Sequence, residues 1–224
     1  MGWFNFIAAF VVFFLSHSLP VRPPLRPLIT NTLGERGFAI AYPIISIGVL
    51  TWLIIAAGRA PRILLWALEP WQAQAAVLLM FLACLLFALS VARPNPFSIG
   101  GWKNQRFDAA RPGVVRLTRH PLLTAIAIWS GAHLLANGDL AHVILFATFA
   151  LFSLMGRRLI DRRKRREMGA RWTDLLQRVN ALPLGAAFPI TLSTFIRIAA
   201  GFVLCGALLW AHPIIIGVSP WSLR

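Results

Sequence analysis

Residues 140–166 read LAHVILFATFALFSLMGRRLIDRRKRR. The first seventeen, ending at Gly156, hold no Lys, Arg, Asp or Glu, and the ten that follow hold seven basic residues. An apolar run of that length is close to what a helix needs to cross the hydrocarbon layer of a bilayer. A basic segment set against its end is the mark of a cytoplasmic loop. The stretch therefore predicts a membrane-spanning helix that emerges on the cytoplasmic side.

Five further apolar runs follow the same reading, at 3–19, 38–57, 73–92, 122–136 and 196–212. Together they predict an all-α, polytopic membrane bundle of about six spans in one domain over residues 1–224. The composition agrees: 58% of the 224 residues are hydrophobic, 13% are charged, and the mean hydropathy is +0.71, outside the usual range of soluble domains. The runs at 122–136 and 140–156 are joined by Asn137-Gly138-Asp139 and predict a tight hairpin. The N-terminus, Met1-Gly2-Trp3-Phe4, lacks a positive leader and no small-residue cleavage site follows, so the first run is expected to be retained.

The formal net charge of +15 is explained by topology. Eighteen of the 22 Lys and Arg residues fall in the first, third and fifth connections, at 20–37, 93–121 and 157–195. That bias places those loops in the cytoplasm and both termini on the outer side. No polar stretch is long enough to build a nucleic-acid-binding domain, so the expected partner is the lipid bilayer. In the fifth connection Met168, Trp172, Leu175, Leu176, Val179 and Leu182 recur at helical spacing opposite Arg165, Arg166, Arg171 and Arg178. This pattern predicts a basic amphipathic helix at the membrane interface.

The seven acids, Glu35, Glu69, Asp108, Asp139, Asp161, Glu167 and Asp174, all fall outside the apolar runs. Proton-coupled transport, which usually needs a membrane carboxylate, is disfavoured. Histidine is what remains: His17, His120, His133, His142 and His212. A neutral imidazole can be buried without charge and is the natural axial ligand of haem iron. His142 and His212 suit an interfacial position, and His120 in Arg119-His120-Pro121 suits the start of a helix. His17 and His133 lie deeper and need partners. Cys84 and Cys205 sit within apolar runs as small hydrophobes. No catalytic residue can be named, and no hydrolytic triad or zinc spacing is visible.

The ordered motifs Phe14-Leu15-Ser16-His17-Ser18, Thr118-Arg119-His120-Pro121, Ile128-Trp129-Ser130-Gly131-Ala132-His133, Asp161-Arg162-Arg163 and Met168-Gly169-Ala170-Arg171-Trp172 resemble the NnrU family. These are bacterial membrane proteins associated with denitrification and related to zeta-carotene isomerase. The resemblance covers most of the chain. It implies haem b held by His17 and His133, a bacterial inner-membrane location with periplasmic termini, a hydrophobic small molecule or respiratory components as partners, and a role in nitrite and nitric oxide respiration or in haem-dependent cis-trans isomerisation of a polyene. His120 is a secondary candidate on depth, which sets it nearer to His17. At Ser130 the sequence departs from the isomerase, which has a cysteine there that replaces histidine on reduction. On a rise of about 1.5 Å per residue, His17 and His133 would differ in depth by roughly 10 Å, and depth alone would set His133 nearer to His142 and His212.

Two other classes fit parts of the chain. Arg119-His120-Pro121 and Glu167-Met168-Gly169-Ala170-Arg171-Trp172 look like the isoprenylcysteine carboxyl methyltransferase superfamily. That likeness implies an S-adenosylmethionine pocket of Arg119, His120, Glu167 and Arg178. A non-enzymatic respiratory assembly factor would need neither cofactor.

Overall fold

The computed structural model describes residues 2–99 and 101–220. Among them are seven α-helices: α1 Gly2–Ser18, α2 Leu25–Gly58, α3 Pro70–Ser90, α4 Pro121–Ala136, α5 Leu140–Met168, α6 Ala170–Ala181 and α7 Leu192–Ile215. The all-α expectation holds among these residues, where extended pairing is limited to an isolated bridge between Leu64 and Asp139. Helices α2, α3, α5 and α7 are long and apolar enough to cross a membrane. Helices α1 and α4 are apolar but shorter. Arg224, which the charge count placed in the C-terminal tail, lies outside the described residues.

Two helices run well beyond the predicted spans. Helix α2 begins at Leu25 and bends at Gly34, whose φ of 71° and ψ of 162° leave the helical region. Helix α5 continues through the basic segment to Met168 and stops at Gly169, which has φ 56°, a left-handed conformation that favours glycine. The reason is chemical: Arg, Lys, Leu and Met are good helix formers, so nothing in 157–168 obliges the chain to turn. Acids outside the apolar runs therefore stand on helices rather than in loops. Glu35 stands on α2, Asp161 and Glu167 on α5, and Asp174 on α6.

The chain packs as two compact units. The first comprises Met1–Trp66 and Asp139–Leu145. Here α1 and α2 lie together, burying Phe6, Ala9, Leu53, Ala56 and Ala57. Trp52 Nε1 donates to Asn5 Oδ1 at 3.2 Å and Tyr42 Oη donates to the His17 carbonyl at 3.0 Å. These polar links cross the helix pair where lipid offers no competing partner. The turn before α5 is held by Asp139, whose Oδ1 accepts from the Ile63 amide at 3.1 Å.

The second unit comprises Ala67–Gly138 and Phe146–Arg224, with α3 packed on α4 and on α7. Helix α3 starts with a reciprocal capping box between Glu69 and Gln72 and carries Pro70 in its first turn, both devices that satisfy or dispense with unpaired amides. Its far end is closed from α7, where Arg197 Nη1 donates to the carbonyls of Ala88 and Val91 at 3.0 and 2.6 Å. A β-carbon at Gly201 of α7 would stand 2.8 Å from Leu85 Cδ2 and 3.1 Å from Leu85 Cα, so the close approach of these helices depends on a residue without one.

Helix α6 is amphipathic, but its apolar side is covered by protein. Trp172 and Val179 are buried with Phe97 and Val115 of the long connection before α4, and Met168, Leu175 and Leu176 pack around them. Arg165 and Arg119 lie 4.3 and 5.8 Å from the centre of the Trp172 ring, both within cation–π range. The expected contact between this apolar stripe and lipid is therefore corrected: the stripe faces the 93–120 segment.

Candidate functional site

The 93–120 segment is shaped by side-chain hydrogen bonds to its backbone. The Asn95 amide donates to Asn104 Oδ1 at 2.9 Å, the Phe97 amide donates to Asn95 Oδ1 at 3.1 Å, and Asn95 Nδ2 donates to the Arg119 carbonyl at 2.9 Å. Buried backbone outside helices needs such partners. Gly101 fits inside this knot, where a β-carbon would lie 2.3 Å from Asn104 Oδ1 and 2.7 Å from the Asn95 carbonyl. The segment ends at His120, the residue before α4, with Pro121 in the first turn. Proline disfavours the helical conformation in the residue before it and needs no amide partner in that first turn.

His120 is 1% exposed. Its Nε2 lies 3.0 Å from Asp161 Oδ1 and its Nδ1 lies 2.9 Å from Ser98 Oγ. Arg119 meets the same carboxylate through Nη2 to Oδ2 at 2.8 Å and Nε to Oδ1 at 3.3 Å, a two-pronged geometry suited to a carboxylate. An ionised carboxylate only accepts, so His120 donates from Nε2 and its Nδ1 accepts from the Ser98 hydroxyl. Burial is the largest influence on His120 and lowers its pKa; Asp161 pulls upward, Arg119 and Arg157 push down again, and the net lies below the ordinary 6.5. For Asp161, burial pushes upward, but Arg119 and then His120 outweigh it and hold the carboxyl below 3.8. The cluster is thus a neutral imidazole against an ionised carboxylate.

Beside it opens a cavity of about 480 Å³. Arg119, His120, Asp161, Arg157 and Arg158 form its polar end. Leu151, Leu154 and Met155, one to two turns earlier on α5, form its apolar end. A smaller cavity of about 170 Å³ shares Arg119, His120 and Arg157 and reaches Thr118 and Asn180.

The other histidines have a different environment. His133 Nδ1 bonds the Trp129 carbonyl at 2.9 Å, and its ring sits against Trp129 and Phe146 with centroids 5.2 and 4.9 Å away. His212 Nδ1 bonds the Val218 carbonyl at 2.6 Å. The His133 and His212 rings are neighbours, 6.4 Å between centroids, as depth had suggested. His17, in the first unit, bonds the Phe13 carbonyl through Nδ1 at 3.0 Å and lies over the Phe13 ring. In all three a carbonyl fixes Nδ1–H and leaves the Nε2 lone pair, the tautomer a metal ligand requires. His142 Nδ1 lies 3.0 Å from Asp139 Oδ2.

Within the second unit the structure separates His120 from His133. His120 and His133 stand at opposite ends of α4, roughly 20 Å apart at 1.5 Å per residue. Both ring nitrogens of His120 are already engaged, so binding a metal there would break one of these bonds. His17 belongs to one unit and His133 to the other. Ser130 is buried, and its hydroxyl donates back to the Ile126 carbonyl at 2.8 Å. Of the four residues of the methyltransferase-like pocket, Arg119 and His120 line the cavity; Glu167 pairs with Lys164 and Arg178 with Asp174.

Ser98 and Asp161 as partners of His120 were not readable from spacing, because 22 and 41 residues separate them from it. The only signal was an acid within a heavily basic segment.

A protein-family model described as NnrU protein matches residues 5–220. Searches of the curated proteins and of the solved structures each found no match.

Proposed function

The chain belongs to the NnrU family, and from that premise we propose that it is a haem-b-binding protein of the bacterial inner membrane that serves nitrite and nitric oxide respiration. The observation that carries the reading is the anchored imidazole of His133. Its Nδ1 is committed to a carbonyl 2.9 Å away and its ring is walled by Trp129 and Phe146. That arrangement fixes the tautomer and holds the ring's orientation before any ligand arrives.

His17 and His133 would hold the iron, and His212 is the alternative partner of His133, being beside it. His17 meets the same chemical requirement through the Phe13 carbonyl. A b-type haem held by two imidazoles supplies one-electron redox chemistry, with its potential tuned by those ligands and by burial. Trp129 and Phe146 flank the His133 ring, and the Trp129 carbonyl orients it. Ser130, with its hydroxyl bonded to the backbone, offers no thiolate-like replacement ligand, which favours a respiratory role over polyene isomerisation. Six spans, four from the long helices and two from α1 and α4, put both termini in the periplasm and the basic segments in the cytoplasm.

The test is a reduced-minus-oxidised visible spectrum with a pyridine haemochrome assay on detergent-purified protein expressed with ample haem. A stoichiometric b-type signal is expected, largely lost in His133→Ala. Absence of haem overturns the reading, and full retention in both His17→Ala and His133→Ala overturns the ligand assignment. Respiratory subunits that co-purify with a haem-free chain would point to an assembly factor instead.

A further inference from the structure

The cavity beside Asp161 has a composition that neither haem ligation nor the packing of the bundle uses. Its polar end presents three guanidinium groups, from Arg119, Arg157 and Arg158, against one carboxylate. Arg119 and His120 already occupy that carboxylate. Among the described residues, Arg157 and Arg158 pair with no acid. Unpaired guanidinium groups at the wall of a cavity favour an anion, and arginine suits the planar presentation of phosphate oxygens.

The opposite end is apolar. Leu151, Leu154 and Met155 are 59%, 47% and 58% exposed and belong to the charge-free run that ends at Gly156. Cavity and sequence therefore agree on depth: the change from apolar to basic wall coincides with the point where α5 leaves the hydrocarbon layer. That is the level of lipid phosphates, where basic residues meet anionic head groups. The smaller polar cavity, sharing Arg119 and Arg157 and continuing to Thr118 and Asn180, extends the site on the side away from the apolar wall.

We propose that the cavity between the start of α4 and the middle of α5 is a specific site for one anionic phospholipid, its phosphate held by Arg157 and Arg158 with Arg119 and its acyl chain laid along Leu151, Leu154 and Met155. The polar remainder of the head group occupies the smaller cavity. Asp161 keeps Arg119 directed at the wall and prevents a second anion from entering beside the first. The site is independent of haem, since its one histidine is held by Ser98 and Asp161.

The experiment is native mass spectrometry of the full chain in detergent, titrated with phosphatidylglycerol or phosphatidylcholine. One phosphatidylglycerol per chain is expected, about tenfold tighter than phosphatidylcholine, as for a few charge-assisted contacts. The double variant Arg157→Gln/Arg158→Gln should lose about tenfold in affinity, and Arg162→Gln/Arg166→Gln, which removes the same charge from the same helix outside the cavity, should change it by less than about twofold. Leu154→Trp fills the apolar end without altering charge and should weaken binding comparably to the first pair, which keeps the site testable if that pair does not fold. Equal losses in both arginine pairs would mean diffuse surface charge and overturn the proposal. So would equal affinity for the two lipids, or displacement of the lipid by excess inorganic phosphate, which would mark a free-anion site.

Discussion

The Nε2 of His120 lies 3.0 Å from Oδ1 of Asp161, joining the first residue before α4 to the basic half of α5. This contact explains why an acid stands among the arginines that follow Gly156. It gives Arg119 a fixed partner and leaves Arg157 and Arg158 unneutralised at the cavity wall.

Replacing Asp161 by Leu leaves a buried imidazole without its acceptor and Arg119 without its counter-ion. A loss of about 2–4 kcal/mol is expected for such an orphaned polar pair, read as a lower midpoint of thermal unfolding in detergent. Asp161→Asn, which retains an acceptor oxygen, should lose less than half as much. Equal stability of the Leu variant and the parent would show that the contact contributes nothing net.

Acid should destabilise the cluster before it reaches the carboxylates. The folded protein holds His120 below the ordinary 6.5, so between that value and the lowered one the unfolded chain binds more protons than the folded chain. Stability then falls as pH drops through that window and is regained on returning to neutrality. Asp161, held below 3.8, loses its contribution only at still lower pH. Unfolding midpoints measured from pH 7.5 down to 5 should decline in the parent and decline less in His120→Gln.

Trp172 tests what α6 rests on. Truncation to Ala removes a ring buried against Phe97 and Val115, and large-to-small changes of this kind cost about 3–5 kcal/mol. Trypsin should then cut faster within residues 93–119, whose Lys103, Arg106 and Arg111 are otherwise held in a packed loop. If α6 rested on lipid alone, Trp172→Ala would weaken membrane partition and leave those sites as slow as before.

Gly201→Val should separate α3 from α7, because even its β-carbon would stand 2.8 Å from Leu85 Cδ2 and 3.1 Å from the Leu85 backbone. Overpacking of this sort costs about 1–3 kcal/mol. The expected result is lower yield of monodisperse protein after detergent extraction, with Gly206→Val, where no neighbour stands within 4 Å, as the neutral control.

In haem-loaded protein, His120→Ala should retain the b-type spectrum while lowering the unfolding midpoint, since His120 serves the Asp161 cluster. His212→Ala and His17→Ala should differ in haem content, and the one that loses it identifies the partner of His133. Loss of haem in His120→Ala alone would reverse these roles.

Apolar run length and the alternation of basic loops made the helices legible in the sequence, because a bilayer demands about twenty apolar residues per crossing and the positive-inside bias acts locally along the chain. The NnrU motifs marked His17, His120 and His133 for the same reason, being short and contiguous. The continuation of α5 through its basic segment was not legible, since periodicity does not show where a helix stops when only a glycine ends it. Nor was the seat of α6: Trp172 and Val179 mark an apolar face, but whether lipid or Phe97 and Val115 covers it depends on a loop folded by Asn95 and Asn104. Only tertiary structure decided that His120 faces Ser98 and Asp161 and that, of the two histidines that depth allowed, His133 faces His212. Those contacts join residues 22 to 79 positions apart, a separation at which packing alone sets who meets whom.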